Sequence, residues 1–173
     1  METKLVKPTM EYGSSFVDAM EELRQRKEDG FFRSLGSPQT VTQYIRLVES
    51  HENKRQVPLG WISYSTFWLV NEHEFIGELH FRHTLTDYLR NYGGHIGYTI
   101  RPSQRAQGYG TKLLALALPK IKQLGFERVL VTCDETNIAS KKIIEANGGV
   151  FEKANSQGKN MPKKLLYWIM LQE

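Results

Sequence analysis

The sequence has almost no cysteine: Cys133 is the only one in 173 residues. A single cysteine excludes an internal disulfide and a zinc site built from several thiolates. Long apolar runs are also missing, since none approaches the roughly 20 residues that a membrane-spanning helix needs. The residues after Met1 carry charges with no apolar block behind them, which argues against a secretory signal. We therefore expect a cytoplasmic protein that makes no contact with a membrane.

The chain also lacks a strong excess of charge of one sign. Its 23 Lys and Arg against 19 Asp and Glu give a net charge of +4, and the basic residues occur as short pairs between acidic ones. A nucleic-acid groove has a denser basic stripe with interleaved aromatic residues, so we expect no nucleic-acid partner. A nucleic-acid binder would instead show an affinity that falls steeply with salt. The length fits a single domain over residues 1–173.

The spacing of apolar residues predicts a domain that mixes helices and strands. Strand patterns occur at about 5–6, 66–70, 75–81, 95–100, 128–133, 150–152 and 165–171, and helical patterns at about 14–27, 37–50, 113–124 and 137–147. This order predicts an α/β or α+β domain with one strand–helix–strand crossover. The polar stretch 51–60 is predicted to be a loop and part of a substrate lid. Pro119 lies inside the third helix, where it should remove one backbone hydrogen bond.

Turn and cap residues mark the ends of the two N-terminal helices. We expect Ser14 or Ser15 to cap the first helix and Gly30 to end it. The second helix is expected to start at Ser37-Pro38, a cap residue followed by a first-turn proline.

The run from Ile100 to Leu113 carries the chemistry. A strand ends, a polar loop follows, and Gly108 and Gly110 lie where a helix starts. Successive backbone N–H groups in such a turn point into one concavity, and the positive end of the helix dipole adds to it. Glycine lets an anion approach closely and adopts a positive φ at little cost. The run predicts a pyrophosphate site, although its residue order fits neither the Walker loop nor the dinucleotide-binding fingerprint.

Two motifs resemble those of a known family. Arg105-x-x-Gly108-x-Gly110, after a strand and before an amphipathic helix, resembles motif A of the GNAT superfamily of N-acetyltransferases. One helix and one strand later, Asn137-x-x-Ser140-x-Lys142 resembles the family's Asn-x-x-Ser-x-Lys/Arg block. The resemblance covers nearly the whole chain. It implies the GNAT fold, a central mixed and mostly antiparallel sheet of about seven strands flanked by helices, in which two parallel strands splay apart at the cofactor site.

The resemblance also implies acetyl-CoA as the co-substrate and assigns the residues that bind it. Motif A would hold the pyrophosphate, the second block would contact the pantetheine arm, and the strand before motif A would pair with that arm through the backbone of Thr99 and Ile100, with Tyr98 as a further contributor. The cofactor-binding residues so implied are Thr99, Ile100, Arg105, Ala106, Gln107, Gly108, Tyr109, Gly110, Thr111, Asn137, Ser140 and Lys142. We expect no metal, since the five histidines lack the spacing of metal ligands.

An attacking amine must be neutral, so a base has to remove its proton. Glu78 is the first candidate for this base and His80 the second. Both lie on the strand beside the one that carries the acetyl group in the family, and they alternate with Leu79 and Phe81, which predicts a polar face. A solvated carboxylate at the rim of the site is the alternative interpretation of Glu78.

The chain departs from the family's usual acid. That acid is a tyrosine seven residues after the Asn of the second block, and the position is Ile144 here. The thiolate must then leave unassisted or be protonated by another group, for which Tyr167 is a candidate; a packed tyrosine at the rim of its strand is the simpler interpretation. Cys133, in a buried strand, is predicted to be a core residue rather than a catalytic thiol.

These features predict an acetyl-CoA-dependent N-acetyltransferase in which a primary amine attacks directly within a ternary complex. A coenzyme A-binding sensor or regulatory module without catalysis stays an alternative, because the usual tyrosine is missing and the sequence does not fix the base. The acceptor, a small molecule or a peptide amine, does not follow from the sequence. The final apolar strand could pair across a homodimer or close the sheet.

Overall fold

A seven-stranded mixed sheet organises the protein, and its computed structural model describes residues 2–28 and 40–171. The strands are β1 (Lys4–Val6), β2 (Tyr64–Val70), β3 (Phe75–Arg82), β4 (Ile96–Ile100), β5 (Arg128–Asp134), β6 (Val150–Asn155) and β7 (Lys164–Met170). The α-helices are α1 (Gly13–Gln25), α2 (Val41–Glu52), α3 (Tyr109–Gln123) and α4 (Ile138–Ala146). In the order β1-β2-β3-β4-β5-β7-β6, only the pair β4–β5 is parallel among the described strands, which confirms the predicted fold.

The two N-terminal helices cover one face of the sheet. α1 buries Phe16 and Leu23, and α2 buries Tyr44, as their helical spacing predicts. The Phe16 ring stacks on the rings of Tyr44 and Trp68, at centroid distances of 5.0 and 4.5 Å. Because Trp68 belongs to β2, these rings join both helices to the half of the sheet that contains β2.

The start of α1 differs from the prediction. The helix begins at Gly13, so Ser14 and Ser15 lie inside its first turn and do not cap it. The Ser15 hydroxyl instead accepts the backbone N–H of Phe75 at 3.0 Å and ties the helix to β3. The end expected at Gly30 lies outside the described residues.

The second helix has a clear side-chain cap. The Thr40 hydroxyl accepts the backbone N–H of Gln43 at 3.2 Å, and α2 continues to Glu52, two residues into the predicted loop. The start expected at Ser37-Pro38 lies outside the described residues.

Helices α3 and α4 cover the opposite face. Most of the apolar stripe predicted for α3 is buried: Leu113, Leu114, Ala117 and Ile121 have no exposed surface. Leu118, also predicted, is half-buried, and Leu124, beyond the end of the helix, is exposed. The helix continues through Pro119 to Gln123. Pro119 and Ala115 both lie on the exposed side, so water can bond to the Ala115 carbonyl that has lost its helical partner. This resolves the conflict that the proline raised.

The parallel strands β4 and β5 meet and then diverge. Among the described residues their ladder is formed at one pair, Ile96 opposite Val131, near the start of β4. β3 stays paired with β4 along its whole length, from Ile96 to Ile100. The four residues of β4 after Ile96 therefore border a gap in the sheet, as the splayed strands of the predicted fold require.

The last strand of the chain closes the sheet. β7 lies between β5 and β6 and is paired with both, so it has no free edge with which to pair across a dimer. β6 extends to Asn155, beyond the predicted strand at 150–152, so residues 156–163 connect it to β7. Within residues 2–28 and 40–171, no helix combines the length and the apolar character that crossing a membrane requires.

His95 makes folding depend on pH. Its Nδ1 accepts the backbone N–H of Leu130 at 2.8 Å, which requires a neutral ring. Burial, with smaller contributions from the charges of Arg82 and Arg90, lowers the pKa of His95 from its ordinary 6.5 to about 4. The unfolded chain therefore binds a proton that the folded protein excludes, and stability is lost as the pH falls from about 6.5 toward about 4.

We expect the thermal unfolding midpoint to fall through this pH window in the wild type. His95→Asn keeps an acceptor near the position of Nδ1 and removes the titrating ring, so the fall should become shallower. The matched control is His73→Asn, whose side chain is 79% exposed, and it should behave as the wild type does. An unchanged slope in His95→Asn would show that the acid sensitivity comes from another group.

Candidate active site

The ladder between β3 and β4 fixes which peptide groups face the gap. The backbone N–H of Arg101 donates to Ile76 O at 2.8 Å, and that of Arg82 donates to His95 O at 2.7 Å. Both are directly opposed pairs of an antiparallel ladder, six residues apart on β3. Hydrogen-bonded pairs alternate with non-bonded ones, so every second residue between them bonds across to β3.

Tyr98 and Ile100 are the residues whose peptide groups face the gap. By this alternation, Thr99 exchanges its backbone hydrogen bonds with Glu78, its partner in the register. The Ile100 carbonyl points away from β3, since it accepts a hydrogen bond from Nε of Arg105 at 3.0 Å. The predicted backbone pairing thus falls to Tyr98 and Ile100, and Thr99 contributes its side chain.

The turn that precedes α3 presents backbone N–H groups to the same region. Ala106 and Gly108 have positive φ angles of 59° and 81°, and Gly108 is the N-cap of α3 without a side-chain cap. The first-turn amides of Tyr109, Gly110 and Thr111 have no acceptor inside the helix. Together with the positive end of the helix dipole, they form the kind of concavity that binds a diphosphate.

The two glycines of this turn are needed for different reasons. Gly108 has open space around the position of a Cβ, and its left-handed φ is what favours glycine. Gly110 lies in the helix, where a Cβ would be 2.5 Å from Cδ1 of Ile143 on α4. The second glycine therefore allows α3 and α4 to pack closely, a reason that the expectation of anion approach did not include.

Arg105 holds the turn in place. Its guanidinium forms a two-pronged ion pair with Glu28, at 2.9 and 2.6 Å, and the hydrogen bonds from Arg105 lower the pKa of Glu28. Gln107 points away from the cavity and makes long hydrogen bonds of 3.4 Å to Ser103 and Gln104. The side chains of both residues thus shape the turn, and the contribution predicted for Gln107 reduces to its backbone.

The start of α4 brings the Ser140 hydroxyl to the gap, next to the hydroxyl of Tyr98 on β4. Asn137 caps the helix through a hydrogen bond of 3.0 Å from the Ser140 backbone N–H. The Ser140 hydroxyl lies 2.8 Å from the Tyr98 hydroxyl. Burial raises the pKa of Tyr98 to about 12, so its phenol keeps its proton at neutral pH and can donate a hydrogen bond. Burial also raises the pKa of the Cys133 thiol, which disfavours a reactive thiolate.

These parts line one cavity of about 830 Å³, a size that suits a cofactor-sized ligand. The predicted cofactor residues that line it are Thr99, Ile100, Arg105, Ala106, Gly108, Tyr109, Gly110, Thr111, Asn137, Ser140 and Lys142. The uncapped amides, the open Gly108 and the nearby Lys142 fit a diphosphate. In the described part of the chain, no group of three or more His, Cys, Asp or Glu side chains is arranged to hold a metal ion.

Glu78 and His80 lie in a buried network and do not line this cavity. The Glu78 carboxylate accepts hydrogen bonds from the Tyr44 hydroxyl and from Nε1 of Trp68 at 2.7 Å, and its other oxygen lies 2.7 Å from Nε2 of His80. Nδ1 of His80 bonds to the Thr66 hydroxyl at 2.9 Å. Glu78 is only 3% exposed because α1 and α2 cover this face, so the expected polar face is neither solvated nor at a rim.

The two other positions considered for an acid are both in the core. Ile144 is fully buried beneath the α3–α4 layer. Tyr167 is 2% exposed and directs its hydroxyl toward Glu145 at 3.4 Å, away from the residues that line the cavity. The hydroxyls of Tyr98 and Ser140, which lie 2.8 Å apart, line the cavity instead, and neither residue was predicted to act as an acid.

The opposite side of the cavity holds residues that the sequence motifs did not indicate. They are Leu23, Arg82, Tyr88, Leu89, Tyr92, Thr132, Asp134, Gln157 and Lys164. Arg82 donates to the carbonyls of Gly93 and Gly94 at 3.3 Å and so supports a π-helical turn at Leu89–Gly93. Counting the alternation of strand side chains from Ile96 and Val131 places Thr132 and Asp134 on the acceptor side of the cavity. That count requires knowing that β4 and β5 border a gap, which the sequence alone does not show.

Solved structures of known proteins share the fold of this chain. The ribosomal L7/L12 α-N-protein acetyltransferase RimL in complex with coenzyme A is 14% identical, with a TM-score of 0.72 over 98% of this chain and 94% of that one. The microcin C7 self-immunity acetyltransferase MccE, solved with acetyl-CoA and AMP, is 13% identical, with a TM-score of 0.68 over 98% and 92%. The ribosomal-protein-S5-alanine acetyltransferase from Vibrio fischeri is 16% identical, with a TM-score of 0.66 over 99% and 93%. These likenesses support the fold.

The sequence comparisons identify the family. No curated protein sequence is significantly similar to the chain. The family model for the acetyltransferase (GNAT) domain matches residues 18–150, most of the chain and both of the motifs that line the cavity. With this match, the splayed strands and the amide turn at the start of α3, the chain belongs to the GNAT family of acetyltransferases, whose acetyl donor is acetyl-CoA.

Proposed function

We propose that this protein transfers the acetyl group of acetyl-CoA to the α-amine at the N-terminus of a polypeptide. The observation that carries the proposal is the uncapped turn of backbone amides at Gly108, which opens into the cavity between β4 and β5. That turn supplies a diphosphate site, and the gap beside it exposes the peptide groups of Tyr98 and Ile100 for a second, strand-like contact.

Acetyl-CoA, when bound, supplies the acetyl thioester and the thiolate that leaves. The amides of residues 106–111 would hold its diphosphate, and Lys142 adds positive charge in the same cavity. The backbone N–H groups of Tyr98 and Ile100 face the gap, where a donor can polarise a carbonyl. These groups are held by the β3–β4 ladder, so they need no rearrangement when a ligand enters.

Glu78 and His80 are proposed to receive the proton of the amine. Glu78 is the direct cross-strand partner of Thr99, which borders the gap and lines the cavity. As cross-strand partners, Thr99 and Glu78 project from the same face of the sheet. We propose that the Thr99 hydroxyl passes the proton from the acceptor toward the carboxylate. Tyr44 and Trp68 fix the carboxylate, while His80 connects it onward to Thr66.

The Tyr98–Ser140 pair is proposed to stabilise the departing thiolate. In a pair of hydroxyls, one donates to the other and the second keeps a proton for a further acceptor. The phenol of Tyr98 stays neutral up to a pH of about 12, so the pair carries a hydrogen to donate throughout the physiological range. This would compensate for the absence of a tyrosine at Ile144.

A polypeptide acceptor is supported by the open side of the cavity and by the similar structures. Tyr88 is 68% exposed at the cavity wall, and the ring of Tyr92 lies 5.7 Å away at an interplanar angle of 38°, so two aromatic rings are available to contact a peptide. RimL is described as an α-N-protein acetyltransferase, and the protein from Vibrio fischeri acts on an alanine of a ribosomal protein.

The test compares three acceptors at saturating acetyl-CoA while thiol release is measured. The first is a peptide with a free N-terminus and an internal lysine. The second is the same peptide with its N-terminus blocked, so that the lysine is its remaining amine. The third is a polyamine. We expect turnover with the free N-terminus only, reduced in Tyr98→Phe with acetyl-CoA affinity intact. Turnover with the blocked peptide or the polyamine would replace the proposed acceptor. Binding of acetyl-CoA without turnover on any amine would support a non-catalytic coenzyme A-binding module.

A further inference from the structure

Asp134 and Thr99 stand opposite each other across the gap. β4 and β5 are parallel and in register at Ile96 and Val131, and three residues further along each strand lie Thr99 and Asp134. Side chains alternate between the faces of a strand, so both of these point to the face opposite the buried Ile96 and Val131. An acceptor that reaches the gap from that face arrives between them.

The Asp134 carboxylate has one oxygen that is not used by the protein. Its Oδ1 accepts Nζ of Lys164 at 2.7 Å and Nε2 of Gln157 at 3.0 Å. Its Oδ2 accepts no hydrogen bond from any residue that the structure describes. The Asp134 side chain is 38% exposed, and all three residues line the cavity. A positively charged group in the cavity can therefore bind Oδ2 without displacing Lys164.

The other carboxylates near the site are already occupied. Among the described lining residues the second carboxylate is Glu28, and both of its oxygens bond to Arg105 beside the diphosphate turn. Glu78, on β3, does not line the cavity, and its carboxylate already accepts hydrogen bonds from Tyr44 and Trp68. Among the carboxylates of the described cavity, Asp134 is therefore the one that faces the acceptor side and has an oxygen available to accept a hydrogen bond.

We propose that Asp134 binds the ammonium group of the acceptor and places it at the gap. This rests on the proposed function and adds the residue that selects a cationic acceptor. The incoming nitrogen is positively charged in solution, and a carboxylate at the entrance concentrates and orients it before the proton is removed. Lys164 moderates the interaction, since its charge lies on the other oxygen of the same carboxylate.

The test measures binding of an acceptor analogue that keeps the charge and cannot react. The peptide with a free N-terminus is compared with its Nα-trimethylated form, used as a competitive inhibitor at saturating acetyl-CoA. In Asp134→Asn we expect both the KM of the peptide and the inhibition constant of the trimethylated form to rise by about tenfold, with acetyl-CoA affinity unchanged, because one charge-assisted contact is lost. Lys164→Gln should change both constants in the opposite direction, by a few-fold.

The matched control is Glu135→Gln, which removes the same charge one residue further on and outside the cavity lining. It should leave both constants as in the wild type. Equal constants for Asp134→Asn and the wild type would overturn the inference, and so would a change of equal size in the control. If Asp134→Asn fails to fold, the direction of the Lys164→Gln effect decides. If the wild type is inactive on every amine, the proposed function is overturned. If the wild type is active but Asp134→Asn does not change the two constants, only the role of Asp134 is overturned.

Discussion

Replacing Gly108 with valine is expected to weaken acetyl-CoA binding by roughly 100-fold, because losing one or two charge-assisted hydrogen bonds costs about 3 kcal/mol. Gly108 has a φ of 81°, a conformation that a β-branched residue avoids. The turn would move toward a negative φ and rotate the amides at the start of α3 away from the diphosphate. Calorimetric titration with acetyl-CoA measures the loss, and the assay of thiol release should show a raised KM for acetyl-CoA.

Gly125→Val is the matched control for this experiment. Gly125 follows the other end of α3, has a φ of 90° and is likewise free of close neighbours at the Cβ position. The substitution should therefore carry a similar backbone cost of about 1–2 kcal/mol in folding while leaving acetyl-CoA affinity intact. If both variants lose affinity alike, the defect lies in the stability of α3. If Gly108→Val binds as the wild type does, the diphosphate site has been misplaced.

The cofactor side of the site could be predicted because its signals are local in sequence. Gly108 must adopt a positive φ at a helix start, and that need appears in six consecutive residues without any tertiary information. The Asn137 cap is equally local, since it is made to Ser140 three residues later. A helix N-terminus binds anions through its own backbone, so a sequence that predicts the start of the helix also predicts the anion site.

The acceptor side could not be predicted, because its residues meet only through long-range pairing. Asp134 gains its place from the register of β5 with β4, and Lys164 arrives from the last strand. The π-helical turn at Leu89–Gly93 shows no periodic pattern in sequence. The alternation of Glu78 and His80 with apolar residues does not show that two helices cover them. The sequence pattern of a polar strand face is the same whether the face contacts solvent or Tyr44.

The closeness of α3 and α4 illustrates the same limit. Gly110 was expected to admit an anion, while the structure shows that a Cβ there would collide with Ile143. A glycine in a motif records that a side chain is excluded but not which neighbour excludes it. Only the packing partner, 33 positions away in sequence, separates the two explanations.

Glu78→Gln should lower kcat by about 100-fold or more while leaving acetyl-CoA affinity within about twofold, as expected for loss of a general base. Glutamine has the same shape, and its oxygen can still accept from Tyr44 and Trp68, so the network that surrounds Glu78 keeps its packing. Stopped-time assays with the free N-terminal peptide at saturating acetyl-CoA measure this.

Two comparisons separate this loss of a base from a merely structural effect. Glu72→Gln, on a carboxylate with a side chain 85% exposed at the β2–β3 turn, should leave kcat unchanged. Thermal unfolding of Glu78→Gln should show a folded protein whose acetyl-CoA affinity is that of the wild type. Should a folded Glu78→Gln keep its kcat, the proton must leave by another route, and the buried carboxylate would serve only to join α2 to the sheet through Tyr44.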